Sequence, residues 1–161
     1  MEGALELVAV VSDARQRRWT DARRRLKERA APLAEQAGDG NVAWTVFGPT
    51  NVALHAISIE TLAGDAAEGL RLADQIDTGQ LPSRERQFTH ILELAGCHAL
   101  RRDDAAVLVH LLDMEALAPE DLARSPLARS LARSLALQLQ QRIRPVFRRQ
   151  VDALVERLQL M

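Results

Sequence analysis

Hydrophobic residues recur along this chain at intervals of three and four positions, the spacing of one face of an α-helix. Four such stripes can be followed: Ala22, Leu26, Ala30, Leu33 and Ala37; Phe88, Ile91, Leu92, Ala95 and Ala99; Leu127, Leu131, Leu135 and Leu139; and Phe147, Val151, Leu154, Val155 and Leu158. No segment of the sequence keeps the period-two alternation that a half-buried β-strand needs. The pattern therefore predicts an all-α protein.

Capping residues, prolines and glycines divide these stripes into about eight predicted helices. Ser83 and Ser125 each stand beside a proline at a helix start, and Asp103 or Asp104 can cap another helix. Gly64 stands where the end of a helix favours a left-handed residue. These signals predict short helices joined by tight turns.

Three predicted turns resemble one another and occupy equivalent places between a first and a second helix. They begin at Arg17, Gly64 and Arg102, so that 47 residues separate the first two and 38 the second two. The shorter offset is close to the repeat of about 34 residues in tetratricopeptide proteins. The surplus in the longer offset matches a loop from Gly38 to Pro49.

One helical hairpin cannot bury its own apolar face, so hairpins of this kind stack and share a core. We therefore predict a single domain with a tetratricopeptide-like stack of about four antiparallel helical hairpins, an α-solenoid. The predicted hairpins span roughly residues 2–37, 41–77, 83–118 and 125–160. A generic helical bundle is the alternative architecture.

Composition supports helices and excludes some partners. Aromatic residues make up only 3% of the chain, so the apolar content is mostly the small and aliphatic residues used where helices pack closely. The net charge is −1, which gives no overall field for nucleic acid or membrane. Lys27 is the only lysine and arginine supplies the other basic residues, so we attach no phosphate-binding meaning to arginine density.

The expected compartment is the cytoplasm. Cys97 is the only cysteine, which excludes an intrachain disulfide and fits a reducing environment. The first residues lack the basic start and apolar run of a signal peptide. No stretch approaches the roughly 18 apolar residues of a membrane-spanning helix.

Four strings carry a resemblance to a known family: Phe47–His55, Gly64–Ala73, Leu81–Arg86 and Arg101–Ala106. Together they resemble the C-terminal tetratricopeptide-like region of actinobacterial regulators of the XRE helix-turn-helix family, over roughly residues 5–135. The resemblance implies a module that senses a ligand or mediates self-association. The chain enters this region near Leu5, so we expect either a fragment of a longer regulator or a stand-alone relative without DNA binding.

The best candidate site is a polar strip on the helix that Pro49 is expected to start, with Thr50 or Asn51 as its cap. The polar positions of the strip are Asn51, His55, Ser58 and Thr61. On the first helix of a hairpin such a strip would face the concave groove, where asparagine amides can bind a peptide backbone. Further groove candidates are Trp44, Phe47, Arg86 and Glu93. The competing interpretation is that Asn51 and His55 only satisfy neighbouring backbone groups.

Catalytic and metal signatures are weak, and we predict no enzyme, no metal and no cofactor. His90 and His98 are eight positions apart and could share a helix face, but they lack the spacing of a strong zinc signature. Cys97 and His98 are adjacent and point about 100° apart on a helix, which argues against a catalytic dyad. The arginines between Arg15 and Arg29 could attract an anion, but a solvated helix face explains them as well.

The predicted function is therefore binding of a peptide, protein or small molecule in the groove, as the sensory or oligomerisation part of a transcriptional regulator. A homodimer is expected, with the stripe from Leu127 to Leu139 as its contact surface. Two other interpretations stay open. One is a stand-alone scaffold without a ligand, favoured if the strip around Asn51 is buried and satisfied. The other is a small helical enzyme or metal protein, which requires His90, His98 and a carboxylate to converge in a pocket.

Overall fold

A computed structural model describes residues 2–39, 47–81, 83–141 and 145–158. The regular elements in these ranges are all helices and include no strand, which confirms the predicted all-α class. The helices are α1 (Glu2–Arg15), α2 (Trp19–Arg25), α3 (Ala31–Ala37), α4 (Pro49–Ala63), α5 (Ala66–Ala73), α6 (Arg84–Leu100), α7 (Asp104–Leu117), α8 (Pro119–Arg124), α9 (Pro126–Gln141) and α10 (Pro145–Arg157). A π-helical segment, Leu26–Ala30, joins α2 to α3, and a 3-10 turn, Thr78–Gln80, precedes α6. Positions 41 and 160, which bound two of the predicted hairpins, lie outside the described residues.

Consecutive helices pack in pairs: α1 with α2, α4 with α5, α6 with α7 and α9 with α10. The first helices of successive pairs also touch, because α1 contacts α4, α4 contacts α6 and α6 contacts α9. Helix α8 packs between α7 and α9. None of the described helices is long and apolar enough to cross a membrane.

The turns inside the first three pairs have the same backbone geometry. Arg17, Gly64 and Arg102 all adopt the left-handed conformation, with φ of 62°, 83° and 57°. The next amide in each turn bonds back to a carbonyl of the preceding helix: Arg18 to Asp13 at 2.9 Å, Asp65 to Glu60 at 2.9 Å and Asp103 to His98 at 3.0 Å. This is the six-to-one bond of a Schellman helix end. The turns recognised as similar in sequence are therefore also similar in conformation.

A π-helical turn corrects the first hydrophobic stripe. Ala22, Leu26 and Ala30 are buried as expected, but Ala34 rather than Leu33 is the next buried residue, and Ala37 is exposed. The segment Leu26–Ala30 has more residues per turn than an α-helix, so it shifts the buried face by one position. A prediction that assumes about 3.6 residues per turn throughout the helix does not detect this shift of the buried face.

Side-chain caps fix several helix starts where the sequence placed them. Ser83 and Ser125 accept bonds from the amides of Arg86 and Ala128, at 3.3 and 3.2 Å, and Asp103 caps α7 through the amide of Ala106. These predicted caps are confirmed.

The start of α4 differs from its prediction. Pro49 is the first helical residue, but Gly48 occupies the cap position and neither Thr50 nor Asn51 caps the helix. The carboxylate of Asp39 instead accepts bonds from the Thr50 amide at 3.0 Å and the Thr50 hydroxyl at 2.7 Å. Asp39, which precedes the connecting loop, therefore supplies the cap. Capping rules that consider only the residues next to a helix start do not identify it.

The stripe from Leu127 to Leu139 is not one exposed surface. Leu127 is 46% exposed, but Leu135 is only 3% exposed and Leu131 packs against the core. The buried face of α9 is made by Ala128, Ala132 and Leu135. The side chain of Leu139 lies outside the described residues. This stripe therefore contributes to the chain's own core, which corrects its assignment as the contact surface of a dimer.

Helices α5 and α6 approach each other closely at Gly69 and Cys97. A Cβ atom at Gly69 would lie 2.7 Å from the Cys97 sulfur. Cys97 is fully buried and its sulfur lies 3.2 Å from the Thr61 hydroxyl, so it has little room to move. The absence of a side chain at position 69 is thus what allows this contact.

We predict that Gly69→Ala lowers the free energy of unfolding by about 1–3 kcal/mol, because the new methyl group overpacks the interface. The gain in helix propensity, about 1 kcal/mol, offsets only part of this cost. A double-mutant cycle with Cys97→Ala, followed by urea denaturation, isolates the clash. In the Cys97→Ala background the same change should be neutral or stabilising; an equal loss in both backgrounds would contradict the proposed contact.

Candidate functional site

Five of the eight predicted groove residues lie where α4 meets α6. Asn51, Ser58 and Thr61 are on α4, and Arg86 and Glu93 are on α6. The two helices touch along their length, so the predicted polar strip forms part of a seam between successive helix pairs. Most of its groups are therefore directed at other side chains of the protein.

Asn51 and Arg86 form the first contact across this seam. The side-chain oxygen of Asn51 accepts a hydrogen bond from Arg86 Nη1 at 2.6 Å. Asn51 is only 7% exposed, so an unpaired amide oxygen there would be costly. This bond connects the two helices and fixes the orientation of the Asn51 amide.

Glu93 forms the second contact, with the Ser58 and Thr61 hydroxyl groups. Burial raises the pKa of the Glu93 carboxyl, and the two hydroxyl bonds lower it by less. Thr61 also lies within hydrogen-bonding distance of the Ile57 carbonyl, at 3.0 Å, and of Cys97. Ser58 and Glu93 are therefore engaged within the protein.

His55 is the polar residue of the strip that turns towards α1. Its Nδ1 lies 2.9 Å from the carbonyl oxygen of Asn51, which can only accept, so Nδ1 carries the proton of the neutral ring. Burial, assisted by the charge of Arg86, lowers the pKa of His55. The remaining nitrogen, Nε2, is then a hydrogen-bond acceptor at neutral pH.

A groove of about 580 Å³ lies between α1 and this part of α4. Its lining residues are Ala4, Leu7, Val8, Val11, Ser12, Arg15, Gln16, Asn51 and His55. Val8 is 66% exposed, and Arg15 makes no hydrogen bond or ion pair with the described residues. The groove thus combines an apolar strip on α1 with an unpaired cation and the two polar side chains of α4.

Phe47 supports the groove without lining it. Its ring packs on Gly3, where an added Cβ would lie 2.2 Å from the ring, and so joins the start of α1 to the start of α4. Trp44, the other aromatic candidate, lies outside the described residues. Phe47 therefore acts here as a packing residue.

The arginines near α2 are mostly engaged by acids that sequence reasoning did not single out. Asp13 is buried and pairs with Arg18 and Arg25, and these hydrogen bonds hold its pKa below the usual value. Glu60 accepts two bonds from Arg23, at 2.8 and 2.5 Å. The signal available in the sequence was an acid in the last turns of a first helix, four positions before the left-handed residue of the following turn.

The histidines do not assemble a metal centre in the part of the chain that the structure describes. No group of three or more His, Cys, Asp or Glu side chains there could hold a metal ion. His98 faces His110, with ring centroids 5.3 Å apart, instead of sharing a site with His90. Cys97 is buried and its pKa is raised by burial, which keeps it a thiol.

Comparison with protein-family models, with curated proteins and with solved structures gives no match to this chain.

The lowered pKa of His55 predicts a contribution to stability that is complete above about pH 6.5 and lost as the pH falls towards the folded-state pKa. In that window the unfolded chain binds a proton that the folded imidazole does not. We expect the His55 C2–H resonance to titrate with a midpoint below 6.5.

A His55→Gln variant supplies the thermodynamic control, since glutamine does not titrate. The difference in unfolding free energy between wild type and variant should shrink between about pH 7.5 and pH 5.5. The raised pKa of Glu93 gives the free energy of unfolding the opposite pH dependence. Because Glu93 is present in both proteins, its contribution cancels when the variant is subtracted from wild type. A difference that does not vary with pH would refute the assignment of a neutral, buried His55.

Proposed function

We propose that this protein is a tetratricopeptide-like binding module whose groove between α1 and α4 receives a short apolar peptide segment of a partner. In line with the sequence resemblance, the module would be the sensory or oligomerisation part of an XRE-family transcriptional regulator. It would act in the cytoplasm by binding rather than by catalysis.

The repeated turns support a tetratricopeptide-like architecture. The same left-handed residue and back-bonded amide recur at Arg17, Gly64 and Arg102. The contacts between α1, α4 and α6 are those expected if the first helices of three hairpins line one side of a stack. In such stacks that side is the extended binding surface.

The observation that carries the binding proposal is the apolar strip of α1 beside His55, in which Val8 is exposed, Ala4 and Val11 are half-buried and Leu7 forms the buried floor. Ala4, Leu7, Val8 and Val11 line the groove, which runs along roughly three turns of helix. Such a strip matches two or three apolar side chains of a peptide, while Arg15 suits an acidic group on the same segment. In this proposal His55 Nε2 accepts a hydrogen bond from the peptide backbone, and the Asn51 NH₂ group, whose partner oxygen is held by Arg86, donates one.

A scaffold function without a small ligand is the second candidate. The bonds of Asn51 to Arg86, and of Ser58 to Glu93, satisfy much of the polar strip within the protein. On this interpretation the apolar face of α1 would be covered by a second copy of the chain in a homodimer. The two candidates differ in what occupies the same face.

The test is selection of peptides from a displayed random library on the wild-type protein, followed by fluorescence anisotropy with the synthesised peptides. We predict that Val8→Asp weakens their binding at least tenfold, because an unpaired carboxylate would be buried against apolar side chains. Arg15→Ala should weaken binding of peptides with an acidic residue and spare those without one.

Val109→Asp is the matched control, since Val109 is 54% exposed on α7 and lies away from the groove. Its peptide affinities should equal those of wild type. Native mass spectrometry of the same proteins examines the second candidate. A dimer that Val8→Asp alone dissociates, together with no selected peptide, would replace the peptide proposal by the homodimer.

A further inference from the structure

A second cleft, of about 460 Å³, lies between α6, α7 and the 3-10 turn, away from the α1 groove. Its apolar lining residues are Leu81, Ile91, Ala116 and Leu117, and its polar lining residues are Thr78, Gln87, His90 and Asp113. A mainly apolar wall with a few polar groups is the usual composition of a small-molecule site. The volume is also in the range of such sites.

His90 is the buried polar group of this cleft. It is only 5% exposed, and it has no hydrogen bond or ion pair among the described residues. Its Nδ1 is enclosed without a partner, so Nε2 is the ring nitrogen that can contact a molecule in the cleft. An imidazole held in this way without a partner is unusual, because buried polar groups are normally bonded.

The protonation state of His90 determines what it can recognise. Burial lowers its pKa, and the nearby His110 lowers it further. The ring is therefore neutral near pH 7 and can offer a lone pair to a hydrogen-bond donor. A ligand that brings an N–H group would satisfy this nitrogen.

The charged side chain that lines the cleft is an acid. Asp113 is the charged side chain among the described lining residues. It lies 3.9 Å from His110 Nδ1, but burial lowers the pKa of His110, so the imidazole does not neutralise it. Arg84 lies close by, with its guanidinium donating to the Leu117 carbonyl oxygen. A bound group near Asp113 gains from a positive charge and loses from a negative one.

From these observations we propose that the cleft binds a small organic amine, with its apolar body against Ile91 and Leu117 and its ammonium group between His90 and Asp113. The apolar wall would contact the body of the ligand. The His90 nitrogen would accept one N–H hydrogen bond, and the Asp113 carboxylate would pair with the positive charge. This site is independent of the peptide groove proposed above.

The test uses three probes of one shape at about pH 7.5: 2-phenylethylamine, 2-phenylethanol and 3-phenylpropanoate, which are cationic, neutral and anionic. Amide shifts in ¹H–¹⁵N spectra report binding at Ile91 and Ala116. We expect the amine to bind with a dissociation constant on the order of a millimolar, as suits so small a ligand. The alcohol should bind more weakly, and the anion at least about tenfold more weakly than the amine.

Variants assign the effect to the cleft. Asp113→Asn should weaken the amine about fivefold and leave the alcohol unchanged, since only the amine uses the charge. Ala116→Trp, at an exposed position, should fill the cleft and abolish the amide shifts induced by the amine and by the alcohol. His90→Phe, if it folds, should weaken the binding of both these probes. Glu35→Gln, which neutralises an exposed acid on α3, a helix that packs against neither α6 nor α7, is the matched control.

Each alternative result overturns the proposal. Equal affinity for amine and anion would remove the role of Asp113, and shifts that survive Ala116→Trp would place the probe elsewhere. No binding of the amine up to about 10 mM would exclude the site. Val8→Asp should leave amine binding intact, so failure of the peptide groove and failure of this cleft are distinguishable.

Discussion

The structure depends on polar bonds that cross from each helix pair to the next. The connecting pairs are Arg23 with Glu60, Arg86 with Asn51, and Arg157 with Glu115. Apolar contacts between helices rich in alanine and leucine tolerate sliding, since many registers bury similar areas. A buried acid or amide must instead find its partner, so it disfavours every register in which that partner is out of reach.

These bonds also distinguish helix faces whose polar groups are bonded within the protein from faces whose polar groups are not. Along the α4–α6 seam, the Asn51 oxygen and the Glu93 carboxyl are bound by groups of the protein itself. Among the described residues no equivalent pair covers the face of α1 where Val8 is exposed, and Arg15 has no partner there. A ligand at this face would therefore meet none of these bonds, whereas one at the seam would have to break them.

The sequence was informative wherever one residue determines its own local conformation. Gly64 is left-handed and Ser83 caps its helix, as their chemistry requires. It was uninformative where a conformation depends on distant residues: nothing near Thr50 indicates that Asp39 caps α4. The site shows the same division. The spacing of Asn51 and His55 indicated that both lie on one helix. It could not indicate that Asn51 contacts Arg86 and that His55 faces α1, because those contacts depend on how the helix pairs stack.

The small residues that let the helices approach also shape what the surface can recognise. Gly69 against Cys97 brings α5 and α6 into close contact, and Gly3 leaves room for the Phe47 ring at the start of α1. The described clefts lie between neighbouring helices, and apolar walls discriminate poorly between ligands of similar size. Selectivity must then come from the few polar atoms at each cleft, whose hydrogen-bonding capacity is fixed by burial. In the two proposed sites, His55 shares its cleft with Arg15 and His90 shares its cleft with Asp113, so the two clefts would favour ligands of opposite charge.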